Sequence, residues 1–165
     1  MATDPTFPRS LYHSLETLQF RLVRVQQGSR WSNRVQVEIQ HHKLDPIPPY
    51  TAISYAWGDA DDTRKLQIVG STAHGTQELI GVINVTVSLY EALQAVQQHT
   101  PETLVWIDGL CIDQHNDIEK SEQIRFMPFI YSNAESVAIW LGPETSDSQI
   151  ALDALEHLSL PPTRT

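Results

Sequence analysis

A single cysteine, Cys111, in 165 residues leaves no partner for a disulfide within the chain and excludes every zinc site built from cysteines alone. Long apolar runs are missing too: stretches such as 104–107 and 137–141 fall far short of the roughly 20 residues a membrane-spanning helix requires. Basic residues are scarce, with 11 Lys and Arg against 20 Asp and Glu for a net charge of −9. Residues 1–50 carry six basic and four acidic side chains, and residues 51–165 carry five and sixteen. So acidic a segment repels a phosphate backbone, which argues against nucleic-acid binding. Internal repeats and low-complexity tracts are absent, and residues 1–10 show no basic-then-apolar leader pattern. With an unpaired cysteine, this points to a reducing, cytoplasmic setting.

What is present is a globular composition, 41% hydrophobic and 19% charged, at a length that supports one core. Pro5 and Pro8 break residues 1–17 into an irregular lead-in, and 18–160 is expected to form a single domain. Residues 20–26 read as a strand. In 34–40, Val35, Val37 and Ile39 alternate with Gln36, Glu38 and Gln40, so the two segments form an antiparallel hairpin. Segments 50–57, 66–69, 82–87, 104–108 and 137–141 read as further strands. Ser88 and Glu91 have the spacing of a capping box, followed by Leu89, Ala92, Leu93 and Val96 on one helical stripe. Asn116 and Glu119 repeat that spacing ahead of a helix carrying Gln123, Met127 and Tyr131 on adjoining turns, which Pro128 is expected to kink. Ser146 and Gln149 would cap a last helix with Ile150, Ala151, Leu155 and Leu158 on its apolar face. Strands alternating with helices imply right-handed crossovers. The expected fold is therefore α/β: a mostly parallel sheet flanked by helices, with the antiparallel N-terminal hairpin added to it.

Three blocks stand out together: Tyr50-Thr-Ala-Ile-Ser-Tyr-Ala-Trp-Gly-Asp59, Val105-Trp-Ile-Asp-Gly-Leu-Cys-Ile-Asp-Gln114, and Glu119-Lys-Ser-Glu-Gln-Ile-Arg-Phe-Met127 continuing through Tyr131 to Val137-Ala-Ile-Trp-Leu-Gly142. In this order and spacing they resemble the heterokaryon incompatibility (HET) domain of filamentous fungi. Gly109 and Asp113 stand where that family most often has Ala and Asn, and Pro128 is unexpected in its helix. The resemblance implies an effector or signalling role in fungal non-self recognition that ends in cell death. HET domains are in turn distantly similar to TIR domains, flavodoxin-like modules of which some cleave NAD at the glycosidic bond. That implies a flavodoxin- or TIR-like sheet, with NAD as a candidate substrate and no bound cofactor. The alternative is a non-enzymatic module acting by self-association or by binding a protein partner.

Candidate site residues follow from position. Trp57, Gly58 and Asp59 end one strand and Asp108 another, at the edge where ligands bind in open parallel sheets. Gln114 follows in the loop after Asp108, and these five are the candidate ligand-binding residues. Each has a plain structural alternative: a core aromatic, a turn glycine, a cap. Glu144, after the last strand, is the candidate catalytic carboxylate, with Asp147 as the fallback; it could equally be a helix N-terminal acid. Asp59, Asp61 and Asp62 offer oxygen ligands for a hard cation but read as solvated acids, and no metal site is expected. Cys111 reads as a small buried hydrophobe rather than a nucleophile paired with His115. Glu119 reads as a capping residue, Gln123, Met127 and Tyr131 as core, and His41, His42 and His74 as exposed.

Overall fold

The computed structural model describes residues 12–16, 18–28, 34–72, 76–144 and 148. The alternating pattern of the N-terminal part does form a hairpin: β1 (Gln19–Val25) and β2 (Gln36–Lys43) pair antiparallel from Gln19↔Lys43 to Val25↔Val37. Val35 and Val37 are buried on the face their spacing indicates, and Ile39 is half-buried. Next come β3 (Thr51–Tyr55), β4 (Thr63–Ser71), β5 (Gln77–Thr86), α1 (Val87–His99), β6 (Leu104–Trp106), a single turn α2 (Asp108–Cys111), α3 (Asp117–Asn133) and β7 (Ser136–Trp140). The final helix expected after residue 146 lies outside the described residues, as do Asp147 and His74. Among the described residues, no helix is long and apolar enough to cross a membrane.

All seven strands form one sheet in the order β5-β4-β2-β1-β6-β3-β7. This corrects the expectation of a mostly parallel sheet. The neighbours β2/β4, β3/β6 and β3/β7 are parallel, while β1/β2, β1/β6 and β4/β5 are antiparallel. Two things produce the mixture. The segments after residue 60 close as a long antiparallel hairpin, β4–β5. The N-terminal hairpin inserts between the two halves of the sheet, with β1 bonded to β2 on one side and β6 on the other. Burial drives that insertion, because Phe20, Leu22, Val23 and Val25 are all in the core and an edge position would leave one side of β1 uncovered. The parallel arrangement survives only in β6-β3-β7 and a short β2/β4 contact.

Capping also differs from the sequence reading. α1 begins at Val87, one residue before Ser88, and its N-cap is Thr86, whose hydroxyl accepts from the Leu89 N–H. Ser88 instead donates to the Ala56 carbonyl at 2.5 Å, tying the start of the helix to the end of β3. At α3 the Asn116 side chain accepts from the Glu119 N–H, but the Glu119 carboxylate does not reach back and points into the interior. α3 continues through Pro128 to Asn133. Its inner face carries Ile130, Met127 and Tyr131 onto the sheet, and the Tyr131 ring meets the fully buried Trp106 edge-on at 5.4 Å between centroids.

Candidate functional site

The parallel set β6-β3-β7 determines the geometry of the site. Because Thr51 and Ala52 pair with Val105 and Trp106, and Thr51–Tyr55 pairs residue for residue with Ser136–Trp140, the three strands finish on one edge of the sheet. Gly58, Asp108 and Gly142 therefore follow on the same edge. Gly58 turns the chain in a left-handed conformation (φ +73°), and Ala56 just before it is held by Ser88.

Asp108 is the first residue of α2, directly after the buried Trp106 and Ile107. One carboxylate oxygen accepts from the Gly109 N–H at 2.7 Å and the other from the Trp57 indole N–H at 3.1 Å. Burial raises the Asp108 pKa above the usual value, and those two hydrogen bonds oppose the rise. The Gln114 side chain donates to the Asp108 backbone carbonyl at 2.9 Å, while its own Oε1 is buried with no hydrogen-bond partner among the described residues. Trp57, Gly109 and Gln114, the partners of Asp108, border a cavity of about 150 Å³ whose walls also include Tyr55 and Leu89; Asp108 itself sits behind them and does not line it. Burial and the nearby Asp108 charge both raise the Tyr55 phenol pKa.

Of the residues singled out in the sequence, Trp57, Asp108 and Gln114 come together here. Trp57 is 45% exposed and so is a wall of the cavity, not a core aromatic. Gly58 and Asp59 lie next to it in sequence but are not among the residues lining the cavity. Asp59 accepts from the Asp61 N–H in a local turn, and Asp62 forms an exposed pair with Arg64. Glu144 is exposed and does not line the cavity. Cys111 is fully buried, and its thiol interacts with the backbone of Ile107 and Val105; burial pushes its pKa up to about 12. His115 is exposed, its ring 3.9 Å from the Asp113 carboxylate.

The sequence reading passed over one centre entirely. Arg21 of β1 is fully buried and forks onto Glu119 of α3, with further donations to the carbonyls of Cys111 and His13. The Arg21 Nε–H also faces His41 Nε2 at 3.2 Å. Glu119 additionally accepts from the Asp113 N–H, holding the loop that carries Gln114. His41 and His42 are accordingly half-buried, not exposed as expected. Tyr12, in the lead-in, connects the two centres. Its ring stacks over the Arg21 guanidinium at 4.8 Å, its hydroxyl donates to the Leu110 carbonyl, and it lines the cavity. The sequence signal for this centre was the pair of arginines, Arg21 and Arg24, within the otherwise apolar strand Phe20 to Val25, and nothing local says that Arg21 is the buried one.

The family described as heterokaryon incompatibility protein (HET) matches residues 50–165, more than half of the chain and all three motif blocks. The chain belongs to the HET family. Heterokaryon incompatibility protein 6, OR allele, from Neurospora crassa, is 34% identical over 143 residues, which cover 84% of this chain and 21% of that protein. The HET chain thus spans about a fifth of the length of this curated relative. No solved structure matches it. Within the HET motif around Asp108, Gly109 has a local cause. A β-carbon there would lie 2.5 Å from the Tyr55 hydroxyl and 2.9 Å from Leu89, so the missing side chain leaves room for the cavity wall.

Proposed function

We propose that this HET domain is an effector or signalling domain of fungal non-self recognition, triggers cell death, and acts through the cavity beside Asp108. The observation that carries the reading is the group of Trp57, Asp108 and Gln114. It combines an aromatic wall, a carboxylate with a raised pKa and an unpartnered buried acceptor, at the strand ends where open α/β sheets bind ligands. A cavity of about 150 Å³ accepts a single small ring, on the scale of engineered cavities that bind benzene. A nicotinamide ring has that size, and its carboxamide N–H would satisfy Gln114 Oε1.

The reaction proposed is TIR-like hydrolysis of NAD, with NAD as substrate and no resident cofactor. The C–N glycosidic bond breaks, its electron pair returns to the pyridinium nitrogen, and nicotinamide leaves neutral. Water adds to the ribose carbon and releases one proton, giving ADP-ribose. The chemical demand is an anion near the positive charge developing on the ribose. Asp108 would orient the ring and ribose through Trp57 and the loop it holds, and Glu144, after β7 on the same sheet edge, is proposed as the catalytic carboxylate. Trp57 would wall the ring, with Gly58 and Asp59 at the ribose end. The test is release of nicotinamide from NAD by purified protein. Glu144→Gln should slow it roughly a hundredfold while leaving folding intact. Equal turnover in wild type and Glu144→Gln would remove Glu144 from the mechanism, and no turnover at any protein concentration would remove the hydrolase.

A second reading, a module that signals by self-association or by binding a protein partner, is favoured by the apolar side chains left exposed on β7: Val137, Ile139 and Leu141 beyond its end.

A further inference from the structure

A second, larger cavity of about 500 Å³ lies between residues 14–19 and the first turns of α3, and it shares no wall residue with the cavity beside Asp108. That volume is within the roughly 300–1,000 Å³ of sites for small organic ligands. Leu18, Ile118 and Phe126 give it an apolar wall and are themselves exposed. Gln123 also lines it, yet is only 4% exposed. Its Nε2 reaches the Gln19 carbonyl at a long 3.5 Å, and its Oε1 is buried with no hydrogen-bond partner among the described residues. An acceptor left unpaired in the interior costs stability, so leucine would be the better residue at this place unless something brings a donor to it. Three carboxylates share the wall. That of Glu119 is taken up by Arg21 and the Asp113 N–H, while Glu16 and Glu122 are exposed.

We propose that this cavity binds a small organic ammonium ion. Its apolar body rests on Leu18, Ile118 and Phe126, it donates an N–H to Gln123 Oε1, and its charge lies beside Glu16 and Glu122. The ligand brings a donor because the orphan atom is an acceptor. It is a cation because of the charge balance. Arg125 is the one basic residue on the described wall, and Arg21 already neutralises Glu119, which leaves two carboxylates against one guanidinium. The net charge of the chain, −9, adds to that field. The occupant is a small molecule because the polar group lies at depth in a concave site, whereas a protein partner requires a broader surface. The lead-in walls both cavities, with Tyr12 at the first and Ser14 to Glu16 at the second, so a ligand here ties the segment that carries Tyr12 to α3. The site is separate from the proposed hydrolysis of NAD and does not depend on it.

The probe is tryptamine, an aromatic ethylammonium ion, titrated into the whole isotope-labelled chain and followed by backbone amide shifts. Its neutral alcohol counterpart, tryptophol, and the anion indole-3-acetate are the controls. Shifts should saturate at residues 14–19 and 116–126, with tryptophol about fivefold weaker or more and indole-3-acetate weaker still. Gln123→Leu should weaken tryptamine about tenfold while melting no lower than the wild type, because it removes an orphan acceptor. Glu122→Gln, at an exposed position, should weaken it about threefold at low salt with an unchanged melting temperature. Shifts confined to the walls of the Asp108 cavity, or none at millimolar tryptamine, overturn the proposal. Equal binding of tryptophol overturns the ammonium, and unchanged binding by Gln123→Leu overturns the role of Gln123. Shifts at residues 116–126 from a lysine-bearing peptide but not from tryptamine also overturn it and make a protein segment the occupant. Nicotinamide release, assayed separately, is unaffected by any of these results.

Discussion

Arg21 and Glu119 lie 98 residues apart in sequence and meet inside the protein as a forked ion pair, with N–O distances of 2.5 and 3.0 Å. Arg21 also reaches the carbonyls of His13 and Cys111, so this one contact joins the lead-in, β1, the end of α2, and α3. Removing one partner leaves the other charge buried and unpaired. Glu119→Gln or Arg21→Met should each cost about 3–5 kcal/mol in urea unfolding. The double variant Arg21→Met/Glu119→Leu should lose clearly less than the sum of the corresponding single changes, because no uncompensated charge remains.

The same centre sets acid sensitivity. Burial works to raise the Glu119 pKa, but the Arg21 hydrogen bonds, the Asp113 N–H and the Arg21 charge outweigh it, and the carboxyl titrates below its ordinary 4.5. Burial and then the Arg21 charge, against a bond to the His13 carbonyl, hold His41 below its ordinary 6.5. Both groups bind protons more readily in the unfolded chain, so both contribute stability at neutral pH that is lost on acidification. Unfolding midpoints should fall as pH drops below about 6.5, and fall more steeply below about 4.5. His41→Gln should flatten the upper part of that curve, and an unchanged curve would remove His41 from it.

Asp108 has the opposite sign. Burial raises its folded pKa, so ionisation at neutral pH works against folding. Asp108→Asn removes that charge but keeps only one acceptor for the two N–H donors of Gly109 and Trp57, so at pH 7 it should stay within about 1 kcal/mol of wild type, with the balance moving against the variant toward pH 4. Loss of ligand binding or turnover in this variant would then be a defect of the site and not of folding. Chemical melts at two pH values alongside the nicotinamide assay separate the two.

Gly109→Ala adds one methyl to the cavity wall, where it would press on the Tyr55 hydroxyl and Leu89. Overpacking of this kind costs about 1–3 kcal/mol. The variant should melt lower, and combining it with Tyr55→Phe should recover much of the loss.

Trp106 is fully buried against Tyr131, and Trp106→Ala should cost about 3–5 kcal/mol in a chemical melt. A cost below about 1 kcal/mol would contradict its place in the core.

Cys111, buried and with its pKa pushed up to about 12, should resist alkylation in the native protein and react only as the chain unfolds. Rapid labelling of folded protein near neutral pH would show that the thiol is accessible.

Pattern along the chain settles what depends on near neighbours. The alternation of Val35 and Val37 and the stripe of Leu89, Ala92 and Leu93 placed strands, a helix and their buried faces, because a strand repeats every two residues and a helix every 3.6. The three motif blocks determined the family and brought Trp57, Asp108 and Gln114 under suspicion together. Only the tertiary structure decided which strands are neighbours. β1 went to the middle of the sheet because its apolar side chains require cover on both sides, and no local pattern records what supplies that cover. The same non-local packing turned Glu119 from a helix cap into the partner of Arg21, since a buried guanidinium has to find a carboxylate wherever the chain brings one. It also left Glu144 outside the cavity and β7 last in the order of the sheet. Burial is a property of the whole fold, and hydropathy along the chain reports only which residues seek it.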